Sequence, residues 1–108
     1  MIIVTLRLKV VPEKRWAVVK TIHTIIGPTT VRSGCSHCSL YSSTSNDDEL
    51  ILLEKWESKE ALERHLRSDE FRKIISVMET ASEPPEIHFN TVTSIEGMEL
   101  LEKILGQK

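Results

Sequence analysis

The stretch LILLEKWESKEALERHL, residues 50–66, decides the fold. Its first half has the pattern of a strand, but residues 50–53 are apolar on both faces, whereas a sheet covered on one side alternates between apolar and polar positions. Ser58 is a favourable helix N-cap. The residues after it put one apolar side toward the sheet, namely Ala61, Leu62, His65 and Leu66. The stretch therefore predicts a strand covered on both faces, followed at once by an amphipathic helix.

The sequence on either side predicts further strands and helices from alternation, helical spacing and turn residues. In chain order these are a strand over 2–11, a helix over 13–26 that Gly27-Pro28 ends, a strand over 35–43, a turn at Asn46-Asp47-Asp48, the strand and helix above with a break near Ser68, a stop at Pro84-Pro85, a strand over 87–92 and a short helix over 95–106. The apolar stripe of the first helix is expected to be Trp16, Val19, Ile22, Ile25 and Ile26.

The order β-α-β-β-α-β is that of a ferredoxin-like α+β sandwich, an antiparallel four-stranded sheet with helices on one face. At 108 residues the chain has the length of one domain. Because both helices are needed on the first face, nothing in the chain remains to cover the apolar second face. A second copy, packed sheet against sheet, is the simplest cover. The sequence therefore predicts a homodimer in the form of a dimeric α+β barrel.

The composition narrows the class of protein. Apolar residues make up 40% and charged residues 28% of the chain, which is the balance of a soluble globular protein. The net charge is −2 and basic residues are scattered among acidic ones, so we expect no nucleic-acid partner. No apolar run approaches the roughly 20 residues of a membrane span, and the N-terminus lacks signal-peptide features. We therefore expect no membrane partner and a cytoplasmic location.

Both cysteines lie in GCSHCSLY, residues 34–41. Positions i and i+3 of a strand point to opposite faces, so Cys35 and Cys38 are expected to be buried thiols that share neither a disulfide nor a metal. The chain has no second metal-binding pair, and we expect no metal and no redox centre. Cys35 and His37 are expected on the same strand face, but no third orienting group completes a nucleophilic dyad.

The opening stretch also holds the candidates for chemistry. His65 faces the sheet, where it is either a core histidine held by a hydrogen bond or a pocket histidine that accepts or orients a proton. Glu54 and Trp56 share the apolar strand face. Glu54 is either a structural ion pair or a support for a pocket, and Trp56 is either core or a flat wall for an aromatic ligand. His23 and His88 have no partner pattern and are expected at the surface.

Gly34-Cys35, ILLEKWES (51–58) and KEALERHLRSDEF (59–71) together resemble the antibiotic biosynthesis monooxygenase superfamily. Its members show a Gly-Cys-x-x-Tyr strand, a Glu-x-Trp-x-Ser strand end and a histidine on the next helix; here Cys38 takes the place of the tyrosine. The resemblance implies a family-type ferredoxin-fold domain over 1–93, with 94–108 as a C-terminal helical extension of the same domain. It also implies the dimeric α+β barrel that the two-faced strand predicts.

The resemblance implies a function as well, because some relatives oxygenate quinols or anthrone-like polyketides without metal or flavin. This chain would then be a quinol-monooxygenase-like enzyme that needs no cofactor and acts on a small aromatic substrate. His65 would be the catalytic base or orienting group. The predicted substrate-binding residues are Trp56, Glu54, Tyr41 and Phe71.

Two other functions fit the same resemblance. One is a non-catalytic dimeric module that binds a small molecule or a regulatory partner, and the other is a non-oxidative isomerase of a small signalling molecule. Haem is not expected, because the haem-ligating histidine and the strand-one asparagine of the haem-degrading relatives would fall near Ile75 and Leu6.

Overall fold

In the computed structural model, which describes residues 1–106, four strands and four helices follow one another in the predicted order. They are β1 (Ile2–Lys9), α1 (Pro12–Thr30), β2 (Cys35–Ser42), β3 (Glu49–Trp56), α2 (Lys59–Leu66), α3 (Asp69–Met78), β4 (Glu86–Thr91) and α4 (Met98–Leu105). Within these residues no helix has the length and apolar character needed to cross a bilayer. The last two residues of the predicted C-terminal extension, 107 and 108, lie outside the described part.

The strands form one antiparallel sheet in the order β2-β3-β1-β4. This order is the ferredoxin-like α+β arrangement that the sequence predicts. Leu6 and Leu8 of β1 and Leu52 of β3 are buried on the face that packs against α1 and α3. That face therefore carries the hydrophobic core.

The opposite face of the sheet is here called the outer face. It includes Ile3 of β1 together with Ile51 and Leu53 of β3, which alternate with the buried residues. No helix of the described residues packs on this face. The outer face of β3 is only partly buried at Ile51 and Leu53, so its cover by a second copy remains a prediction.

Helix α1 continues through Gly27 and Pro28 to Thr30, so the prediction that it stops at residue 26 is wrong. Proline usually ends a helix because it has no N–H and because its ring clashes with the Cβ of the preceding residue. Gly27 has no Cβ, which relieves that clash. The helix then closes a further turn, in which the Val31 N–H donates to the Gly27 carbonyl at 3.3 Å.

The packed side of α1 is formed by Val18, Ile22, Ile25 and Thr29. Trp16 was expected in this stripe, but it is 71% exposed. The expectation is wrong because Trp16 lies two residues before Val18, and two residues correspond to about 200° around a helix. Trp16 therefore projects from the opposite side of α1.

The predicted break near Ser68 is confirmed. The Ser58 hydroxyl accepts a hydrogen bond from the Ala61 N–H at 3.1 Å at the start of α2. The Ser68 hydroxyl does the same for the Phe71 N–H at 3.2 Å at the start of α3. Each serine satisfies a free donor of the first helical turn, so the chain can begin a second helix after a single bend.

Strand β2 contains a bulge at Ser36. Cys35 and His37 lie opposite consecutive residues of β3, so Ser36 is the extra residue and the alternation of side chains shifts by one position. Cys35 and Cys38 consequently lie on the same, helix-facing side, and His37 lies on the outer face. The predictions that the cysteines face opposite sides and that Cys35 shares a face with His37 are therefore wrong. Both thiols are free.

Candidate functional site

Glu54, Trp56 and His65 form a buried polar cluster between β3 and α2, here called the core cluster. Their exposed fractions are 2%, 0% and 0%. Glu54 and Trp56 are two residues apart on a strand and so point to the same side. The Trp56 indole N–H donates to Glu54 Oε1 at 2.9 Å, and the His65 ring stacks on the indole with ring centres 4.6 Å apart. The predicted shared face of Glu54 and Trp56 and the inward direction of His65 are confirmed.

Glu54 determines which nitrogen of His65 carries a proton. Glu54 Oε2 lies 3.2 Å from His65 Nε2, and a carboxylate can only accept, so Nε2 donates this hydrogen bond. The other ring nitrogen, Nδ1, is buried and has no hydrogen-bond partner among the described residues. In the neutral imidazole Nδ1 is thus a free acceptor, which is the property of a general base.

An ion pair that the sequence analysis missed extends the core cluster toward the surface. Glu70 Oε1 lies 3.7 Å from His65 Nδ1. The Glu70 carboxylate also accepts hydrogen bonds from Nε and Nη2 of Arg32. The hydrogen bond from Arg32 lowers the pKa of Glu70 to about 2, and the same bond raises the pKa of Arg32. Because the Arg32 side chain is 36% exposed, the pair links the buried imidazole to solvent.

Sequence reasoning had little chance of finding this pair. A glutamate in the first turn of a helix is already favoured by the helix dipole, so the presence of Glu70 there does not predict an ion pair. Arg32 lies in the α1–β2 connection, 38 positions away along the chain. Only the fold brings the two together, although the position of Glu70 just after the Ser68 cap does place it beside the end of α2 that carries His65.

The two other predicted substrate-binding aromatics differ in position. Phe71 joins the core cluster, with its ring edge-on to His65 and ring centres 5.4 Å apart. Tyr41 lies on the outer face of β2, where its hydroxyl is 3.1 Å from Nε2 of His37. The sheet therefore separates Tyr41 from the core cluster, whereas Glu54, Trp56, Phe71 and His65 are brought together.

The two thiols lie on the same side of the sheet as the core cluster and are unreactive. Burial raises the pKa of Cys38 to about 12, and the nearby Glu54 carboxylate adds to this rise. Burial also raises the pKa of Cys35, whose thiol donates to the His37 carbonyl at 3.4 Å. Both thiols stay protonated at neutral pH and are poor nucleophiles. Within residues 1–106, no cluster of three or more His, Cys, Asp or Glu side chains is arranged to hold a metal.

A groove between α2 and β4, here called the β4 groove, shares Ile2 and Leu62 with the apolar cluster that contains Trp56. It has a volume of about 290 Å³ and is bounded by Ile2, Leu62 and Phe89. The core cluster itself does not line the groove.

The core cluster places a nitrogen that can accept a proton, His65 Nδ1, in a buried aromatic environment. His65 is fixed in one tautomer by Glu54 and keeps Nδ1 as the acceptor. Trp56 and Phe71 pack directly against the imidazole and neither lines the β4 groove, so an aromatic ligand would reach them only if the packing of the core changed. The Arg32–Glu70 pair lies between Nδ1 and solvent, where a proton taken up by the imidazole would have to leave.

A comparison with protein families matches the part of the chain that contains the core cluster. The family model described as antibiotic biosynthesis monooxygenase matches residues 1–77. An uncharacterised protein of Synechocystis, sll1783, is 27% identical over 74 residues, covering 68% of this chain and 50% of that protein. The chain thus spans about half the length of this curated relative.

Solved structures agree with the fold. A conserved protein from Methanosarcina mazei Go1 superposes with a TM-score of 0.78 at 29% identity, over 82% of this chain and 89% of that one. Rv0793 from Mycobacterium tuberculosis gives a TM-score of 0.79 at 26% identity, over 89% of this chain and 98% of that one. The residues matched by the family model contain the whole core cluster and the Arg32–Glu70 pair, whereas β4 and α4 follow them.

Proposed function

Because the chain belongs to the antibiotic biosynthesis monooxygenase family, we propose that it is a cofactor-independent monooxygenase. Its substrate would be a small, electron-rich aromatic compound, such as a quinol or an anthrone-like polyketide. Membership of the family supports a monooxygenase role. The observation that carries the more specific proposal is the buried Nδ1 of His65, which makes no hydrogen bond to the described residues and is left as the acceptor because Nε2 donates to Glu54.

The proposed reaction begins when the acidic proton of the substrate passes to His65 Nδ1. The resulting anion reduces O2 by forming a carbon–oxygen bond with its own electron pair, and protonation gives a hydroperoxide. Loss of the remaining hydrogen of that carbon as a proton then breaks the O–O bond. One oxygen atom stays in the product as a carbonyl, and the other leaves as water. The substrate supplies all the electrons, so the balance needs only O2.

Each residue of the core cluster has a role in this proposal. His65 is the base, and Glu54 positions it by accepting the Nε2 proton. Trp56 and Phe71 hold the aromatic ring and exclude water, which strengthens interactions with the developing anion. We propose the β4 groove as the entrance, because Ile2 and Leu62, which line it, also pack in the apolar cluster that contains Trp56.

A second candidate function is supported by the closure of the core cluster. Trp56 and His65 are fully buried, and the indole N–H and the Nε2 proton are both satisfied by Glu54. If the core cluster is purely structural, His65 contributes only to the packing of the core. The β4 groove would then bind a ligand without catalysis. The protein would then be a dimeric small-molecule-binding module.

Oxygen consumption separates the two functions. A panel of quinols and anthrones is incubated with the wild type, His65→Gln and Trp56→Phe, and O2 uptake is compared with autoxidation in buffer. We expect uptake by the wild type and a loss of about 100-fold or more in kcat for His65→Gln, because a general base contributes roughly 10²–10⁴-fold. Trp56→Phe is expected to raise KM more than it lowers kcat.

His23→Gln is the matched control, because His23 is exposed on α1, outside both the core cluster and the outer face. It should retain wild-type uptake. If the wild type consumes no O2 above the buffer rate but binds a panel member saturably by calorimetry, the binding module replaces the monooxygenase. If all variants consume O2 equally, the assignment of His65 is wrong.

Two further properties belong to the proposal. We propose a homodimer that pairs the outer faces of two copies, since Ile51 and Leu53 would otherwise present apolar surface to water. We also propose a cytoplasmic location, where the free thiols Cys35 and Cys38 would stay reduced.

A further inference from the structure

A groove of about 340 Å³ runs between α1 and α3 and is here called the helix groove. It is lined by four residues of α1 and by four residues of α3 and the turn that follows it. None of the described residues that line it is acidic, and none belongs to the core cluster or to the β4 groove. The helix groove is therefore separate from the site of the proposed oxygenase.

The floor of the helix groove is apolar. Val18 and Val77 lie there and are 5% and 6% exposed. The hydroxyls of Thr21, Ser76 and Thr80 each donate to a backbone carbonyl three or four residues earlier, at 2.9, 3.2 and 2.7 Å. These hydroxyl protons are thus already used, and the floor suits the apolar body of a ligand.

Two lysines, Lys14 and Lys73, supply the charge of the helix groove. Both are exposed, and neither has an ion-pair partner within residues 1–106. Asp69 lies one turn before Lys73 but pairs with Arg72 at 3.6 Å. The chain has a net charge of −2, so any attraction for an anion would be local to these two ammonium groups.

Helices α1 and α3 run antiparallel along the groove. Arg32, just after the end of α1, binds Glu70 in the first turn of α3. At the other end, the N–H of Ser82, which follows α3, donates to the carbonyl of Lys9, which precedes α1, at 2.8 Å. The start of each helix therefore lies beside the end of the other.

This arrangement puts the two lysines at opposite ends of the groove. Lys14 is the first lining residue of α1, and Lys73 is the first lining residue of α3. The lining stretches 14–21 and 73–80 each extend about 10 Å along their helices. The groove thus has a cation at each end and an apolar floor between them.

We propose that the helix groove binds a small dicarboxylate with an apolar body. Lys14 and Lys73 would each bind one carboxylate, and Val18 and Val77 would contact the chain between the two charges. A monocarboxylate would gain one ion pair, and an uncharged ligand would gain none. This binding is independent of any catalytic activity, because the core cluster takes no part in it.

Octanedioate, a linear chain with a carboxylate at each end, is the probe. Titration into the whole protein is followed by NMR, and we expect saturable shifts at Val18 and Val77 but none at Leu62 in the β4 groove. Octanoate and octanediol have the same chain length. Octanoate should bind roughly fivefold more weakly and octanediol more weakly still, since an exposed ion pair contributes up to about fivefold in affinity. Succinate keeps both charges but has too short a body to span the groove, so it should also bind weakly.

Substitutions in the helix groove locate the binding. Lys14→Gln and Lys73→Gln should each weaken binding of octanedioate by about threefold to fivefold and leave that of octanediol unchanged. Lys20→Gln is the matched control, because it removes the same charge from an exposed position of α1 outside the groove. Ala17→Trp should fill the groove and abolish binding. Ala17 is exposed, so folding should be retained, as checked by circular dichroism.

Four results would overturn the proposal. A lack of saturable shifts would show that the groove does not bind this class of ligand. Equal affinity for octanedioate and octanoate would show that the two ends do not act together. An equal loss in Lys20→Gln would assign the effect to general charge. Binding that persists in Ala17→Trp, or shifts centred on Leu62, would place the ligand elsewhere.

Discussion

At the scale of single residues, Glu54 connects the parts of the core cluster. Its two oxygens accept hydrogen bonds from Trp56 and His65, so one carboxylate fixes the orientation of both rings. A buried carboxylate is costly unless it is paired in this way. The proton on His65 Nε2, and with it the free acceptor at Nδ1, depends on Glu54 remaining an acceptor.

Glu54→Gln should therefore reverse the tautomer of His65. The glutamine oxygen can still accept from Trp56, but its amide nitrogen donates toward His65, so Nε2 becomes the acceptor and Nδ1 carries the proton. Nitrogen NMR of the imidazole should show this change. Oxygenase activity should fall by about 100-fold or more, because a base in the wrong tautomer cannot accept the proton. The exposed Glu57→Gln is the control, and an unchanged tautomer in Glu54→Gln would contradict the account.

The Arg32–Glu70 pair should make stability depend on pH in a defined direction. The pKa of Glu70 is lowered from 4.5 to about 2 in the folded protein. The carboxylate therefore stabilises the fold above the unfolded pKa, and this contribution is lost as pH falls from about 4.5 toward 2. Urea unfolding should show that Glu70→Gln is less stable than the wild type at neutral pH, with the difference closing over that range.

Arg32→Gln supplies the control for this prediction. Without the guanidinium, the further change Glu70→Gln should have little additional effect at neutral pH, because the interaction is already absent. A gap between wild type and Glu70→Gln that stays constant down to pH 2 would show that the ion pair does not set the pKa of Glu70.

The sequence predicts the position of a residue in this site only where the regular spacing of side chains along its strand or helix is unbroken. Glu54 and Trp56 follow the period of β3, and His65 follows that of α2, so their meeting could be predicted. The bulge at Ser36 breaks the period of β2, and the faces of Cys35 and Cys38 were predicted wrongly for that reason. Contacts such as Arg32 with Glu70 depend on the complete fold, and no local pattern reports them.

At the scale of elements, the connection from α1 to β2 allows α2 to lie close to the sheet. Gly34 has a φ of +88°, a conformation that favours glycine. A Cβ at this position would lie 2.4 Å from the Cβ of Ala61 in α2. The same glycine therefore permits both the turn into β2 and the approach of the helix that carries His65.

Gly34→Ala should destabilise the protein by at least about 2 kcal/mol, since it adds backbone strain to a steric clash. Urea unfolding measures this. Gly97→Ala is the matched control, because Gly97 has a φ of −110° and a Cβ there would meet only the flexible Glu99 side chain. Its effect should be small, about 0.5 kcal/mol or less. Equal effects of the two changes would contradict the proposed packing of α2 against the turn.

The Gly27-Pro28 pair explains why the end of α1 could not be predicted from the sequence. Gly27-Pro28 reads as a helix stop, yet the missing Cβ of Gly27 lets α1 continue to Thr30. The starts of α2 and α3 could be predicted from Ser58 and Ser68, because each serine hydroxyl accepts a hydrogen bond from a backbone N–H of the first helical turn.

At the scale of the whole molecule, the apolar outer face is the surface on which we propose that two copies meet. The order of the strands follows from the sequence, and so does the two-faced apolar pattern of β3. The burial of Trp16 was predicted wrongly, because the stripe assigned to α1 included a residue that lies about 200° from Val18 around the helix.

Leu53→Glu should convert the dimer to a monomer, because it places charge in the centre of the apolar outer face, where two copies are expected to meet. Light scattering coupled to size exclusion at micromolar concentration measures the mass. Arg64→Glu is the control, since Arg64 is exposed on α2 and away from the outer face. A monomeric wild type, or a Leu53→Glu variant with unchanged dimer mass, would contradict pairing through this face.

The central claim is that this protein transfers one atom of O2 to an aromatic substrate, with His65 as the base. The most direct test is mass spectrometry of the product formed from a quinol or anthrone under isotopically heavy O2. The account predicts one heavy oxygen atom in the product, no label when only the water is heavy, and product formation that is nearly abolished in His65→Gln but retained in His23→Gln. A product that takes its new oxygen from water, or that forms equally well in His65→Gln, would contradict it.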